Sequence, residues 1–341
     1  SNTSLPLNQF VTDAPDWAWR FPAPQGNPLS TVIQANGRFV AAGQRGTVLV
    51  STDGQTWTVR RLGITETLST LAFGNGVFVA IGTNNSVLTS PDAATWTRRD
   101  SGAGTDGRSV TANPNALIHG GGRFVAVGSR GLVVTSSDGI TWSTVPAITT
   151  DNLSAVAFGG GRFIALGTAG RTYASADGLG WSAAGTAPET LTFTAYGAGV
   201  FVAAASGYAY TSPDGAVWTR RGILTTSTIR AVQHTEVGFL LPLASGRIAR
   251  STDGVVWTEL STGVDTTIAS NALAYGMGRY VMVGSNPYTL ASSADGVTWT
   301  RLSPVIAPTL SAAATSNAAV VAVGSGGAIF TSTDGASTWS S

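Results

Sequence analysis

The pattern Ser-x-Asp-Gly-x-x-Trp, first met as Ser51-Thr52-Asp53-Gly54-Gln55-Thr56-Trp57, returns at 90–96, 136–142, 175–181, 212–218, 251–257, 293–299 and 332–339. Its aspartates, Asp53, Asp92, Asp138, Asp177, Asp214, Asp253, Asp295 and Asp334, are separated by 39, 46, 39, 37, 39, 42 and 39 residues. The tryptophans Trp57, Trp96, Trp142, Trp181, Trp218, Trp257, Trp299 and Trp339 travel with them and account for eight of the ten in the chain. A period near 39 repeated eight times requires similar small units, none able to bury its apolar face alone, arranged so that neighbours cover one another.

A second element recurs inside each unit, as Gly37-Arg38-Phe39-Val40-Ala41, Gly76-Val77-Phe78-Val79-Ala80, Gly122-Arg123-Phe124-Val125-Ala126 and Gly161-Arg162-Phe163-Ile164-Ala165. It marks a turn into an apolar strand. In the second unit the runs 68–73, 77–82, 86–90 and 95–99 read as strands A, B, C and D, short, rich in Val, Phe, Thr and Trp, and punctuated by Gly and Asn-Gly turns. Nothing of helical period and length lies between them, which argues against βαβ units. Four short antiparallel strands per unit is the spacing of a β-propeller blade. The expectation is an all-β chain forming one domain over 1–341, an eight-bladed β-propeller of four-stranded antiparallel blades whose repeats begin near 30, 68, 115, 153, 191, 228, 268 and 309. Seven blades plus one irregular sheet is the alternative. Residues 12–20 lie in register with 52–60, and the last unit reaches only Trp339-Ser340-Ser341, short of a full strand D. The N-terminal strand around 17–21 is therefore expected to complete the last blade and close the ring, removing an exposed edge.

Composition narrows the chemistry. With 19 arginines, no lysine, 18 carboxylates and no cysteine, disulfides, thiol chemistry, zinc-thiolate sites and lysine Schiff bases are excluded. A net charge of +1 gives no electrostatic reason for nucleic acid, and no apolar run approaches the length of a membrane span. Only 11% of residues are charged, against roughly 25% in an average soluble domain.

Within the Ser-x-Asp-Gly turn, glycine supplies a positive φ and the Ser and Asp side chains bond the turn backbone, so the motif folds its own C-to-D hairpin. The tryptophan is expected to open strand D and wedge between neighbouring sheets with its indole N–H satisfied at the rim. Eightfold recurrence points to this structural role rather than to a ring of catalytic or metal-binding carboxylates. These residues resemble the Asp-box, or BNR, repeat of sialidase-like and photosystem II assembly-factor-like propellers. The resemblance covers nearly the whole chain, with Ala93 replacing glycine in the second copy and an extra residue before Trp339 as departures. It implies a structural turn on the face opposite the usual ligand site, and export to the extracellular space or periplasm.

Catalytic candidates fare poorly. Trp19-Arg20-Phe21-Pro22 is similar to the sialidase motif whose arginine grips a carboxylate, but Arg20 stands in repeat register with Arg60 on strand D. Sialidase chemistry also needs further convergent arginines and a tyrosine paired with a glutamate, and only Glu66, Glu189, Glu236 and Glu259 are present. Asp100 and Asp106 share the insertion 100–115 and form the one candidate glycosidase pair. His119 and His234 occupy the strand-A position held elsewhere by Phe73, Phe158, Tyr196 and Tyr275, so they read as substitutes for aromatics. No catalytic residue, metal site or cofactor is assigned.

In a four-stranded meander the B-to-C and D-to-A connections share one face and the Asp boxes the other. The B-to-C turns present Arg45, Asn84, Arg130, Tyr208, Arg247, Asn286 and Tyr288, with Asp106 on the overhanging insertion. Such side chains suit hydrogen bonding and stacking on sugars or peptides. The functional expectation is a monomeric, non-enzymatic binding or scaffold propeller that engages a protein or glycan partner through this face, without nucleic acid or membrane insertion. A sialidase-type glycoside hydrolase is the alternative.

Overall fold

The computed structural model describes residues 29–52, 58–99, 114–223, 228–229, 231–235, 237–243, 247–260, 270–276, 279–284, 290–295, 298–301, 310–316, 318–334 and 340. They form antiparallel meanders in strict chain order, seven of four strands and one of three. The first sheet runs Leu29–Ala35 (A), Arg38–Gly43 (B), Thr47–Ser51 (C) and Thr58–Arg61 (D), and the second Leu68–Gly74, Val77–Gly82, Val87–Ser90 and Thr97–Arg99. Later sheets open with strands A at Pro114–Gly120, Ala155–Gly159, Phe193–Gly197, Gln233–Thr235, Ser270–Gly276 and Leu310–Thr315. Strand A of each sheet packs on strand A of the next, and Leu310–Thr315 packs back on Leu29–Ala35, so the eight sheets close into a ring with strands A innermost.

Of the two counts the sequence allows, the structure contains seven complete four-stranded blades and an eighth sheet that keeps three strands, Leu310–Thr315, Val320–Gly324 and Ile329–Ser332. The segment 17–21, expected to supply its fourth strand, lies outside the described residues. The first position of that strand is held by Ser340, which exchanges two backbone hydrogen bonds of 2.8 Å with Thr331. Thr58 occupies the equivalent place opposite Val50 in the first sheet.

The core is divided among the interfaces between sheets. Phe124, Ala126 and Trp142 of the third sheet pack with Val77, Val79 and Ile81 of the second. Val125 and Val127, on the other face of the same strand B, pack with Phe163, Tyr173 and Trp181 of the fourth. Because each strand B is covered on both faces, its sequence is a continuous apolar run rather than an alternating one. The interface that closes the ring joins Phe39, Ala41 and Leu49 to Val321, Val323 and Ile329.

The Ser-Asp turns fold as expected. Asp138 Oδ1 accepts from the N–H groups of Ile140 and Thr141, both at 2.8 Å, and from the Ser136 hydroxyl at 2.9 Å. Ser136 Oγ accepts in turn from the Gly139 N–H at 2.8 Å. The fourth, fifth and sixth sheets repeat the Ser–Asp and Ser–Gly bonds. Tryptophan packs between neighbouring sheets as expected, Trp142 against the second and Trp181 against the third, but its place relative to strand D differs. In the second to sixth sheets it precedes strand D, which opens at Thr97, Ser143, Ser182, Thr219 and Thr258, whereas Trp299 does open its strand. The reason is local: the indole N–H donates to the carbonyl of the turn residue three positions back, Trp142 to Gly139 at 2.8 Å and Trp218 to Gly215 at 3.0 Å, which keeps the ring in the turn.

Candidate functional site

The face opposite the Ser-Asp turns is built from B-to-C turns and D-to-A connections. Strand B ends at Gly43, Gly82, Gly128 or, one residue earlier, Leu166, and a three-residue turn preceded by glycine follows, Gln44–Gly46, Thr83–Asn85, Ser129–Gly131 or Thr168–Gly170. The central residue of each is left-handed: Arg45 at φ +52°, Asn84 at +56°, Arg130 at +55° and Ala169 at +54°. For a residue other than Gly, Asn or Asp this conformation costs about 1–2 kcal/mol. It also turns the side chain out from the face, where Arg45, Asn84 and Arg130 stand exposed on three consecutive sheets. Among the described residues neither Arg45 nor Arg130 enters an ion pair.

The connection from the first sheet to the second is pinned by its backbone to the turns on both sides, and the connection from the third to the fourth to the turn behind it. Glu66 and Thr67 accept from the N–H groups of Gly46 and Thr83, both at 2.9 Å, and Asp151 accepts from the N–H of Gly131 at 2.5 Å. The side chains of these connections lock onto the sheet that follows. Glu66 pairs with Arg98 at 2.9 Å. Asp151, buried, accepts from Arg171 at 2.5 Å, Thr168 at 2.9 Å and Tyr173 at 2.7 Å. Burial works to raise the Asp151 pKa, but the hydrogen bonds from Tyr173, Arg171 and Thr168 outweigh it and hold it at about 2. Glu189 accepts from the Tyr210 hydroxyl. Tyr210 is fully buried, and burial together with the Glu189 carboxylate pushes its pKa up to about 12. A tyrosine–glutamate pair therefore exists, but its phenol is shifted away from ionisation and shielded from any substrate.

Two sequence candidates are occupied by neighbours. Arg247 pairs with Glu259 at 2.9 Å, and the guanidinium of Arg220 lies 3.3 Å above the ring of Tyr208. Asn286, Tyr288 and Asp106 lie outside the described residues, as do Arg20 and Asp100. His119 and His234 pack at a tilt or edge-on against Phe124 and Phe239 with centroids 4.7 Å apart, just as Phe73 packs at a tilt against Phe78 at 4.6 Å. No three His, Asp or Glu side chains gather as a metal site among the described residues.

One feature of this face escapes a reading of motifs. The second residue of strand A, Ser30, Ser69, Asn115 or Ser311, is a β-bulge at the mouth of the ring. Asn115 donates across to the carbonyl of Leu153 in the next sheet at 2.9 Å, and Ser154, at the same repeat position, reaches that of Leu191 at 3.3 Å. The signal was present as a small polar residue one place after an apolar one, at the head of these strands.

No family model matches the chain, and no curated protein does. Solved structures do. The computationally designed Ika8 protein superposes with a TM-score of 0.70 at 14% identity, over 90% of this chain and 96% of that one. YCF48 bound to D1 peptide gives 0.61 at 15% identity, over 92% and 94%. Virginiamycin B lyase from Staphylococcus aureus gives 0.63 at 9% identity, over 75% and 91%. The chain is a β-propeller. At these identities the likeness carries the fold alone, and the propeller's neighbours hold different roles.

Proposed function

We propose that this propeller is a non-enzymatic binding or scaffold protein that engages a protein or glycan partner through the face of its B-to-C turns. The observation that carries the reading is the outward, left-handed placement of Arg45, Asn84 and Arg130 on three consecutive blades. The turn imposes this geometry on Ala169 as well, so what distinguishes these three blades is that the outward position carries a long polar side chain. The carboxylates Glu66, Asp151, Glu189 and Glu259 on or beside the same face are engaged by Arg98, Arg171, Tyr210 and Arg247, which suits a rigid platform better than acid–base chemistry. Among the structural neighbours one, YCF48, is seen bound to a peptide, so a propeller of this shape accommodates such a partner. The resemblance of the turns to Asp boxes makes the extracellular space or periplasm the compartment of this reading, with the protein acting as a monomer.

The test is a glycan array and a peptide array, probed with the full chain, with a fluorogenic sialoside as a parallel readout. Specific binding should weaken about tenfold or more in Arg45→Ala/Arg130→Ala, since a charged hydrogen bond contributes roughly 1.5–3 kcal/mol. The melting temperature should hold, because Ala169 already occupies the same turn position. Turnover of the sialoside would overturn the reading in favour of a hydrolase, and binding indifferent to both substitutions would move the site off this face.

A further inference from the structure

The opposite face carries its own pattern. Six large apolar side chains are exposed among the described residues, and five of them, Ile140, Leu179, Val217, Val255 and Val256, lie on the Ser-Asp turns of blades three to six. They fill the two variable positions between the turn glycine and the tryptophan. The turn itself does not require them, since the same positions hold Gln55 and Thr56 in the first copy and Ala94 and Thr95 in the second. Val217 and Val256 are 71% and 70% exposed, so neither supports the core.

Each of these turns adds one carboxylate, Asp138, Asp177, Asp214 or Asp253, and none carries a cation. Hydrogen bonds from the turn hold all four below the usual carboxylate range; for Asp138 burial opposes them and is outweighed. The nearest arginines belong to A-to-B turns of the preceding blade: Arg123 lies against Gly178, and Arg162 acts on Asp214. Blades two and five have Val77 and Val200 at that strand position instead, and it is Val77 and Val202 that lie against the turn glycines next to Asp138 and Asp253. The arc is therefore aliphatic at its tips, and its two end turns, those of Asp138 and Asp253, are anionic at the base.

We propose that this arc is a second docking surface, for an extended protein segment that alternates basic and aliphatic side chains. Exposed apolar groups repeated on four consecutive turns of one face call for a partner, and the carboxylates of the end turns select a cationic one while disfavouring an anionic lipid surface. Neither property depends on the B-to-C face, so the propeller has two faces of different chemistry and joins two partners.

The test titrates a labelled peptide alternating lysine and leucine into the full chain, with a glutamate–leucine peptide and a lysine–serine peptide as controls. The lysine–leucine peptide alone should bind saturably, more weakly as salt rises, and about tenfold more weakly to Val217→Ser/Val256→Ser. That variant should keep its melting temperature, because both side chains are exposed. Arg45→Ala/Arg130→Ala on the other face should bind the peptide like the parent. Absence of binding, equal binding of the lysine–serine peptide, or no effect of the valine substitutions would each overturn the proposal. So would valine-dependent co-sedimentation with phosphatidylcholine–phosphatidylserine vesicles, which would assign the arc to a membrane surface.

Discussion

The smallest repeating device is one carboxylate oxygen gathering the donors of a turn. Asp92 Oδ1 accepts from the N–H groups of Thr95 and Ala94 at 2.8 and 2.9 Å and from the Ser90 hydroxyl at 2.9 Å, which holds its pKa at about 2 against an ordinary value of 3.8. Asp177, Asp214 and Asp253 are lowered by the same kind of bonds. A carboxyl whose folded pKa is depressed binds fewer protons folded than unfolded, so its contribution is complete above the unfolded value and disappears as pH falls through the folded one. The urea midpoint should therefore ease down below about pH 6.5, where burial holds His119 below the usual histidine range, and drop steeply between about pH 4 and pH 2, with Asp151 adding to the lower window. Asp92→Asn, which keeps an acceptor but cannot titrate, should lower the midpoint at neutral pH and flatten the acid slope. A midpoint that rises on acidification would show that these bonds do not stabilise the fold. The turn and its hydrogen bonds were legible in the sequence, because Ser, Asp and Gly at fixed offsets specify a turn by local chemistry alone; the depth of the carboxylate's pKa was not. Ala93 was legible as a departure but not its accommodation: it sits fully buried at φ +58°, within reach of an alanine, whereas Gly215 is at +82° with Ile164 in the space a Cβ would take.

Between strands the recurring unit is an aromatic ring set over a glycine of the preceding blade. A Cβ on Gly74 would overlap the ring of His119, on Gly120 that of Phe158, on Gly159 that of Tyr196 and on Gly197 that of His234. Each ring also packs at a tilt or edge-on against the first aromatic of strand B in its own blade, as Tyr196 does against Phe201 at 4.8 Å. The repeat identified the two histidines as members of this aromatic series but not its partner, although Phe73-Gly74, His119-Gly120, Phe158-Gly159 and Tyr196-Gly197 stand adjacent in the chain. The pairing crosses between blades, so no local pattern announces it. Gly159 has no positive φ, which leaves sterics as its sole constraint. Gly159→Ala should cost about 1–3 kcal/mol by overpacking. In the background of Tyr196→Ala the same change should cost much less, giving a coupling energy of about 1 kcal/mol or more in a double-mutant cycle. Additive losses would mean that the ring does not press on the glycine in solution.

Over the whole molecule, the period of the turns specified the size of the repeating unit and the strand order, because a repeat can bury itself only against copies of itself, and left the count between eight blades and seven plus an irregular sheet. How the ring closes was not legible, since it depends on which distant segment meets the last sheet. The candidate face was legible as a surface, through strand order, but not as a site: Arg247 and Tyr208 looked like Arg45 and Arg130 until the structure placed Glu259 and Arg220 against them. Closure makes a prediction about cooperativity. Phe39 and Phe163 occupy equivalent strand-B positions and are 2% and 1% exposed, but Phe39 seals the interface between the first and last sheets whereas Phe163 seals one between neighbours in sequence. In a ring that unfolds as one unit, every interface is on the same footing, and truncating either to alanine should cost about 3–5 kcal/mol. If instead the sheets behaved as an open array, with stability a sum over nearest neighbours, the seam could part without the rest. Phe39→Ala would then leave the main urea transition in place and expose the seam to early hydrogen exchange, while Phe163→Ala would shift the transition of its own blades. Equal shifts of a single transition, with exchange at Val40 and Val321 protected to the global limit, are the outcome expected of a closed ring, in which the seam between Phe39 and Val321 cannot part without exposing the strands on both sides of it.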